Sequence, residues 1–209
     1  MRILIADDHA VVREGVKRIL YDMDHSIVVG EASNGQELLA KAAAKTWDVV
    51  LLDISMPGRN GLEVLRQLKY THPALPVLVF SMHPENQYAV RAFRAGAAGY
   101  LTKDSIAEEL VTAIRRVVGG RPYVSAALAE HLVLEVTRDP DTPLHARLSD
   151  RELQVLCMLG TGKTVTDIAT ELSLSVKTVS TYRSRILEKM HLRSNAELIH
   201  YAVRHQLVD

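Results

Sequence analysis

Short apolar runs alternate with amphipathic segments over the first 118 residues of the chain. Runs of four or five apolar residues indicate strands buried on both faces, whereas apolar residues spaced three or four apart indicate helices. The predicted strands are Arg2–Ala6, Ile27–Glu31, Val49–Leu52, Val77–Phe80 and Gly99–Leu101. The predicted helices are Ala10–Tyr21, Gln36–Ala44, Leu62–Tyr70, Asn86–Ala95 and Ile106–Val118. Regular alternation of this kind predicts a doubly wound α/β domain with a parallel five-stranded sheet.

The pattern changes after the sequence Gly119-Gly120-Arg121-Pro122. Ser125 to Val136 has the composition of a short helix, and residues 138–146 hold two prolines and few apolar side chains, which is typical of a linker. From Leu148 onward the spacing is helical. We therefore predict an α/β domain at 1–120, a linker at 121–146 and an all-α domain of four helices at 147–209.

The all-α domain has clear start signals. Ser149 precedes Glu152 by three residues, which is the spacing of a capping box at a helix start. The later helices are predicted at Thr164–Leu172, Val176–Met190 and Asn195–His205, with a turn at Ser173-Leu174-Ser175 between the first two of these.

Acidic side chains follow two of the predicted strands. Asp7 and Asp8 come directly after the first strand, and Asp53 follows the third. The carboxyl ends of parallel strands lie at one edge of a sheet, so the three carboxylates are expected to lie close together. Crowded carboxylates resist ionising together unless a cation joins them, and oxygen ligands suit Mg²⁺. The alternatives are that Asp8 serves as a helix N-cap and that Asp53 is an ordinary loop acid.

The fourth and fifth strands bring two further groups to the same edge. Ser81 follows the fourth strand and Lys103 follows the fifth. A hydroxyl and an ammonium at this position are suited to binding the oxygens of a phosphoryl group on Asp53. The combination is far more specific than either residue alone.

The stretches "ILIADDH", "DVVLLDISMPGRNGLEVL", "VLVFSMH" and "AGAAGYLTKD" resemble the receiver domain of two-component response regulators. The resemblance implies a flavodoxin-like strand order, 2-1-3-4-5, and phosphorylation of Asp53 by a sensor histidine kinase, so 1–120 is predicted to be a phosphoacceptor receiver domain. It also implies roles for the surrounding residues. Asp7, Asp8, Asp53 and the Ser55 carbonyl would bind Mg²⁺, Ser81 and Lys103 would bind phosphoryl oxygens, and Tyr100 would change rotamer as Ser81 moves. Asp104 stands where many receivers have proline.

Positive charge is concentrated in one short segment of a chain whose net charge is zero. Val176 to Lys189 holds four basic residues and one acid, Glu188. Its apolar residues, Val179, Tyr182, Ile186 and Met190, form one stripe, and its hydroxyl and basic residues lie largely opposite. A helix of this kind either packs with a solvated polar face or enters the major groove of DNA, and the local charge favours the groove.

The sequence "LSDRELQVLCMLGTGKTVTDIATELSLSVKTVSTYRSRILEKMHLRSNAEL" resembles the LuxR-type helix-turn-helix of NarL/FixJ response regulators. The resemblance implies that the third helix of the domain binds double-stranded DNA and that the fourth supports a homodimer formed on phosphorylation. Ser180, which stands where lysine is frequent, would contact base edges together with Thr181 and Ser184. The other residues that the resemblance assigns to the DNA interface are Lys177, Thr178, Tyr182, Arg183, Arg185 and Lys189.

The remaining features concern location and rival functions. Cys157 is the single cysteine and lies in an apolar stretch, the chain shows no signal peptide, and no apolar run is long enough to span a bilayer, so a cytoplasmic protein is expected. The prediction is a transcription regulator, which is a phosphoacceptor taking part in its own phosphorylation and dephosphorylation rather than an enzyme. Two alternatives remain: a phosphotransfer relay whose C-terminal helices bind protein, and a phosphatase-like enzyme.

Overall fold

A computed structural model of the chain describes residues 1–125, 128–129 and 143–208. These residues form two compact units, which divide between Thr137 and Arg138. The helix predicted from Ser125 to Val136 lies mostly outside the described residues, and the predicted limits of the linker remain a prediction. Within the described ranges, no helix combines the length and the apolar character needed to cross a membrane.

The N-terminal unit contains a five-stranded parallel sheet of order β2-β1-β3-β4-β5, which confirms the predicted fold class. Four of the strands are apolar and buried almost throughout, as the short runs predicted. β4 extends to Ser81 and β5 to Thr102, one residue beyond the prediction in each case, because the ladder continues to that last pair. The strands are β1 (Arg2–Ala6), β2 (Val28–Ala32), β3 (Val49–Leu52), β4 (Val77–Ser81) and β5 (Gly99–Thr102).

Helices cover both faces of this sheet. One face packs against α1 and α5 through residues such as Ile3, Leu51 and Leu101, which share a core with Val16 and Ile114. The other face is covered by the three helices between these, which contact one another in sequence. The helices are α1 (Ala10–Met23), α2 (Gly35–Ala44), α3 (Gly61–Thr71), α4 (Glu85–Arg94) and α5 (Ala107–Val118).

The C-terminal unit is helical, as predicted. A 3₁₀ turn at Leu144–Arg147 precedes four α-helices, and the buried faces of these helices form one core that includes Leu156, Ile168, Val179 and Leu198. Cys157 is buried in this unit, in agreement with its apolar surroundings in the sequence. The helices are α6 (Asp150–Gly160), α7 (Val165–Glu171), α8 (Val176–Met190) and α9 (Asn195–Arg204).

Local hydrogen bonds fix the helix starts in this unit. The Ser149–Glu152 capping box begins α6 as predicted, and Thr164 and Asp167 form a second box at α7. The turn between α7 and α8 places Ser173 in the left-handed region at φ 54°, and the Leu174 N–H donates to the Ala169 carbonyl at 2.8 Å. This tight turn sets the path of α8 away from α7.

The loop from β3 to α3 is closed by a contact that only glycine permits. A Cβ atom on Gly61 would lie 2.3 Å from the Ile54 Cα and 2.9 Å from its carbonyl carbon. The Gly61 N–H also donates to the Ile54 carbonyl at 3.3 Å. The missing side chain therefore lets α3 begin directly against the backbone that follows Asp53.

We predict that Gly61→Ala destabilises the N-terminal unit by about 1–3 kcal/mol, because the Ile54 backbone must shift to admit a methyl group. Gly15→Ala is a matched control, since Gly15 lies within α1 and a Cβ there meets nothing within 4 Å. It should stabilise the chain by ~0.5–1 kcal/mol. Urea unfolding of both variants measures the difference, and equal stability of the two would contradict the proposed contact.

Candidate functional site

Two of the predicted acidic residues are buried side by side at the carboxyl edge of the sheet. Asp7 and Asp53 are each 2% exposed. The Asp53 N–H donates to the Ala6 carbonyl at 2.8 Å, so the ends of β1 and β3 are in direct register. The strand pairing therefore brings together the carboxylates that the sequence separates by 46 residues.

Lys103 provides the opposite charge between them. Its Nζ lies 2.6 Å from Asp7 Oδ2 and 2.6 Å from Asp53 Oδ2. Its backbone N–H donates to the Ser81 carbonyl at 2.8 Å, which positions it at the end of β5 although Asp104 follows it in place of proline. Burial opposes the charge on Lys103, but the two carboxylates outweigh burial and raise the pKa of its ammonium. The group is therefore a permanent cation in the pocket.

Asp8 is more exposed, and its alternative role as the N-cap of α1 is wrong. His9 is the N-cap residue, and it makes no side-chain cap hydrogen bond. The imidazole Nδ1 of His9 instead lies 3.0 Å from Asp8 Oδ1 and 3.2 Å from Asp7 Oδ1. The helix starts one residue later than such a cap requires, which leaves the Asp8 carboxylate at the pocket.

The donor set at this edge fits a hard divalent ion. Four possible ligand atoms lie within 4.8 Å of one another: one carboxylate oxygen from each of Asp7, Asp8 and Asp53, and a ring nitrogen of His9. Carboxylate oxygens are the protein ligands that Mg²⁺ prefers. The Ser55 N–H donates to Asp53 Oδ1 at 2.9 Å, whereas a role for the Ser55 carbonyl stays a prediction.

One residue that the sequence pattern does not single out braces this pocket. Arg13 on α1 donates to the Asp7 carbonyl at 2.7 Å and to the Glu31 carboxylate at 2.9 Å. It thereby ties the end of β1 to β2. The helical spacing of Arg13 in α1 gave no signal for this role, because its partners lie 6 and 18 residues away.

Ser81 and Tyr100 lie together behind the pocket, and both are completely buried. The Tyr100 hydroxyl donates to the His83 carbonyl at 2.9 Å, and the His83 N–H donates to Ser81 Oγ at 3.3 Å. Burial raises the pKa of Tyr100, partly offset by a hydrogen bond with Ser81, so the phenol is neutral. The loop after β4 is therefore held by the two residues that were predicted to respond to phosphorylation.

Helix α8 has the predicted division between an apolar and a polar face. Val179, Ile186 and Met190 are buried, while Tyr182 is half-buried. Thr178, Ser180 and Arg183 are also half-buried. The remaining polar residues that were predicted to contact DNA are exposed: Lys177, Thr181, Ser184, Arg185 and Lys189.

The ammonium of Lys189 has a partner within the protein. Its Nζ lies 2.6 Å from Glu152 Oε2, and the Glu152 side chain is 3% exposed. The same oxygen accepts from the Ser149 N–H at 2.8 Å in the capping box of α6. Burial disfavours the charged form of Glu152, but Lys189 and Ser149 outweigh burial and lower its pKa. Lys189 therefore joins the end of α8 to the start of α6, and contact with DNA phosphate stays a prediction.

Both units match known family models. Residues 3–115 match the response regulator receiver domain, and residues 146–202 match the bacterial regulatory proteins of the LuxR family. Together with the fold and the acidic pocket, these matches define a response regulator with a DNA-binding domain. The chain belongs to the NarL/FixJ family of two-component response regulators, which regulate transcription.

Relatives align over the whole chain. It is 44% identical to the response regulator GacA of Pseudomonas protegens over 100% of this chain and 98% of that protein. It is 39% identical to the response regulator UvrY of Escherichia coli O157:H7 over 100% of this chain and 96% of that protein. Among solved structures, the response regulator ChrA of a heme-sensing two-component system is 32% identical, with a TM-score of 0.52 over 99% of this chain and 98% of that chain.

We predict that Lys189→Met destabilises the C-terminal unit by about 1–3 kcal/mol, because a buried carboxylate loses its charged partner. Lys177→Met, an equal change at an exposed position of α8, should leave stability unchanged.

Folding lowers the pKa of Glu152, so its ionised form stabilises the fold above the unfolded value of 4.5. That contribution is lost as pH falls through the folded pKa. The penalty of Lys189→Met should therefore shrink below about pH 4.5. Thermal unfolding at pH 7 and pH 4 tests this, and a penalty independent of pH would contradict it.

Proposed function

We propose that a sensor histidine kinase phosphorylates Asp53 and that the phosphorylated chain binds DNA as a homodimer to regulate transcription. The observation that carries this proposal is the position of Lys103, 2.6 Å from both Asp7 and Asp53 at the carboxyl edge of the sheet. We assign 1–120 to the phosphoacceptor domain, 121–146 to the linker and 147–209 to the DNA-binding domain. Because bacterial DNA lies in the cytoplasm, we place the protein there.

The buried pocket supports nucleophilic attack by Asp53. An oxygen of its carboxylate forms a bond to phosphorus as the bond from phosphorus to the donor breaks, and the leaving group takes its proton from solvent. The Ser55 N–H binds Oδ1 and the Lys103 ammonium binds Oδ2, which fixes the orientation of the carboxylate. Lys103 and the Ser81 hydroxyl then bind oxygens of the transferred group, whose charge they offset.

The acidic residues of the pocket would hold Mg²⁺, through Asp7, Asp8, Asp53 and the Ser55 carbonyl. When bound, Mg²⁺ reduces the repulsion between the carboxylate and the anionic phosphoryl group. Without a divalent ion, the Lys103 ammonium offsets part of the charge of Asp7 and Asp53. The same set of residues supports loss of the phosphoryl group to water, which we propose as a slow self-dephosphorylation rather than turnover of an external substrate.

Phosphorylation changes the forces on the loop after β4. The phosphoryl group adds a charge of about −1.5 to −2 and three acceptor oxygens. The Ser81 hydroxyl, now engaged with the His83 N–H, is drawn toward these oxygens, and Tyr100 must adjust because it bonds to the same loop. We propose that this rearrangement favours the dimer, which binds two DNA half-sites with a gain in effective concentration.

Helix α8 supports the assignment of the DNA contacts. The Thr181 and Ser184 hydroxyls donate to carbonyls of their own helix at 2.9 and 3.1 Å, which leaves their lone pairs for amino groups on base edges. We propose that these residues and Ser180 contact bases, while the cations of the helix contact phosphates. The match to the LuxR family disfavours the alternative of a relay whose helices bind only protein.

We predict that Asp53→Asn abolishes acid-labile phosphorylation by a small phosphodonor such as acetyl phosphate in the presence of Mg²⁺, because the amide is not a nucleophile. The fold should be retained, since the amide has the same shape. Asp48→Asn is the matched control, because Asp48 is exposed and precedes the same strand at its other end. Intact-protein mass spectrometry measures the added phosphoryl group, and phosphorylation of Asp53→Asn at the wild-type level would refute the assignment.

Asp8→Ala distinguishes the effect of losing a metal ligand from the effect of losing the nucleophile in the same experiment. It retains Asp53, so it should bind Mg²⁺ more weakly in calorimetry and accept phosphate more slowly without losing the reaction site. Trp47 is a poor reporter of this metal, because its ring packs over Arg2 at the opposite end of β1. Equal Mg²⁺ affinity of Asp8→Ala and the wild type would argue against the proposed ligand.

We predict that Lys177→Ala and Arg185→Ala weaken binding to every DNA sequence and reduce the salt slope by roughly 1 each, because each lost phosphate contact releases fewer counterions. Thr181→Ala should instead change the preferred sequence, at a cost toward the lower end of about 1–3 kcal/mol. Binding titrations at several salt concentrations on a selected site measure both effects.

Lys45→Ala removes an exposed positive charge from the N-terminal unit and serves as the control for the salt slope. It should leave DNA affinity unchanged. If all three α8 variants bind as the wild type does at every salt concentration, α8 does not contact DNA.

A further inference from the structure

The chain that leaves α5 adds an extended segment to the free edge of β5. Tyr123 forms a parallel bridge with Gly99, and its N–H donates to the Ala98 carbonyl at 2.9 Å. A Cβ atom on Gly99 would lie 3.0 Å from the Tyr123 Cβ, so the two backbones are in close contact. The Tyr123 hydroxyl donates to Glu109 Oε1 on α5 at 2.6 Å. The segment Arg121–Ser125, which we call the exit segment, is thereby fixed to the sheet and to α5.

The last residue of the exit segment makes a different contact. The Ser125 hydroxyl donates to Glu85 Oε2 on α4 and accepts from the Leu128 N–H at 3.1 Å. The Ala129 N–H donates to the Ser125 carbonyl at 2.9 Å, and Leu128 is buried. Ser125 therefore bonds to the helical residues Leu128 and Ala129 and, with the same hydroxyl, joins them to the first residue of α4.

Glu85 is close in sequence to the residues that respond to phosphorylation. It starts α4 directly after the loop that carries His83, and His83 bonds to both Ser81 and Tyr100. Glu85 is partly buried, and burial raises the pKa of its carboxyl while the hydrogen bond from Ser125 opposes the rise. Movement of Ser81 and Tyr100 therefore acts on the helix end that holds Ser125.

We propose that the hydrogen bond between Glu85 and Ser125 transmits the phosphorylation signal from the start of α4 to the chain that leads into the DNA-binding domain. Tyr123 stays with the sheet through backbone bonds, whereas Ser125 follows α4. A shift of α4 is thus passed to Ser125 and, through it, to Leu128 and Ala129. The inference rests on the proposed function, since it requires that phosphorylation of Asp53 alters DNA binding.

The test compares specific DNA affinity of the full chain with and without acetyl phosphate. Ser125→Ala should reduce the phosphorylation-induced gain in affinity roughly two- to thirtyfold, the usual effect of one residue on coupling between sites. Ser125→Thr retains the hydroxyl and should restore the gain. Glu85→Ala should reduce it by a similar factor, and the double variant should lose no more than either single variant, because both remove one hydrogen bond.

Tyr123→Phe is the matched control, because it removes a hydrogen bond from the same segment to α5 rather than to α4. It should retain the wild-type gain. An unchanged or increased gain in Ser125→Ala, with phosphate incorporation equal to that of the wild type, overturns the inference and leaves the proposed function intact. A wild-type chain that takes up phosphate without any gain in affinity overturns the proposed function itself.

Amide hydrogen exchange tests the contact independently of phosphate and DNA. In the unphosphorylated full chain, Ser125→Ala should exchange several-fold faster than the wild type at residues 87–90 of α4 and at Leu128, since the bond restrains both elements. Tyr123→Phe should exchange as the wild type does at residues 87–90. Equal exchange of Ser125→Ala and the wild type at both places overturns the inference whatever the binding titrations give.

Discussion

Two carboxylates and one ammonium share a buried pocket at the carboxyl edge of the sheet, and the attraction between them joins the ends of three strands. The carboxylates of Asp7 and Asp53 repel each other as like charges, because a buried site offers little water to screen them. Lys103 lies 2.6 Å from both and supplies a cation from within the chain. Removing Lys103 would leave two buried carboxylates without their cation, which is costly, whereas neutralising Asp53 leaves Lys103 paired with Asp7. The pocket therefore constrains the ends of β1, β3 and β5 together.

The net charge of this pocket also explains why it is suited to a reversible modification. Three carboxylates and one ammonium leave the site with excess negative charge, which a divalent cation reduces and a phosphoryl group increases again. Each change alters the forces on the Lys103 ammonium and the Ser81 hydroxyl. Because Ser81 and Tyr100 both bond to the His83 backbone, we propose that a change of charge at Asp53 alters the loop before α4. Packed interiors deform in discrete steps rather than continuously. A switch through the loop before α4 would therefore favour two conformations over a gradual change.

The apolar runs predicted the strands to within one residue at each end, and for the four buried strands the reason is that a strand covered on both faces must be apolar along its length. The pocket was predictable from the strands, because the carboxyl ends of parallel strands lie at one edge of a sheet. That arrangement brings together Asp7, Asp53, Ser81 and Lys103. Contacts between distant side chains were not predictable. The Asp8 cap was a plausible local pattern, but the helix starts after His9, and the partner of Lys189 is 37 residues away in α6. Local charge gives no information on such pairings.

These pairings show which cations of α8 are available to contact another molecule. The sequence gives the helix four basic residues, yet Lys189 directs its ammonium to Glu152, and the Nε of Arg183 is enclosed with no hydrogen-bond partner among the described residues. Lys177 and Arg185 are exposed. A cation already paired with a buried carboxylate must give up that bond before it can contact a phosphate, so it contributes less to counterion release than an exposed one. Lys189 thus serves the stability of the helical unit, whereas Lys177 and Arg185 are the cations that we propose for contact with DNA phosphates.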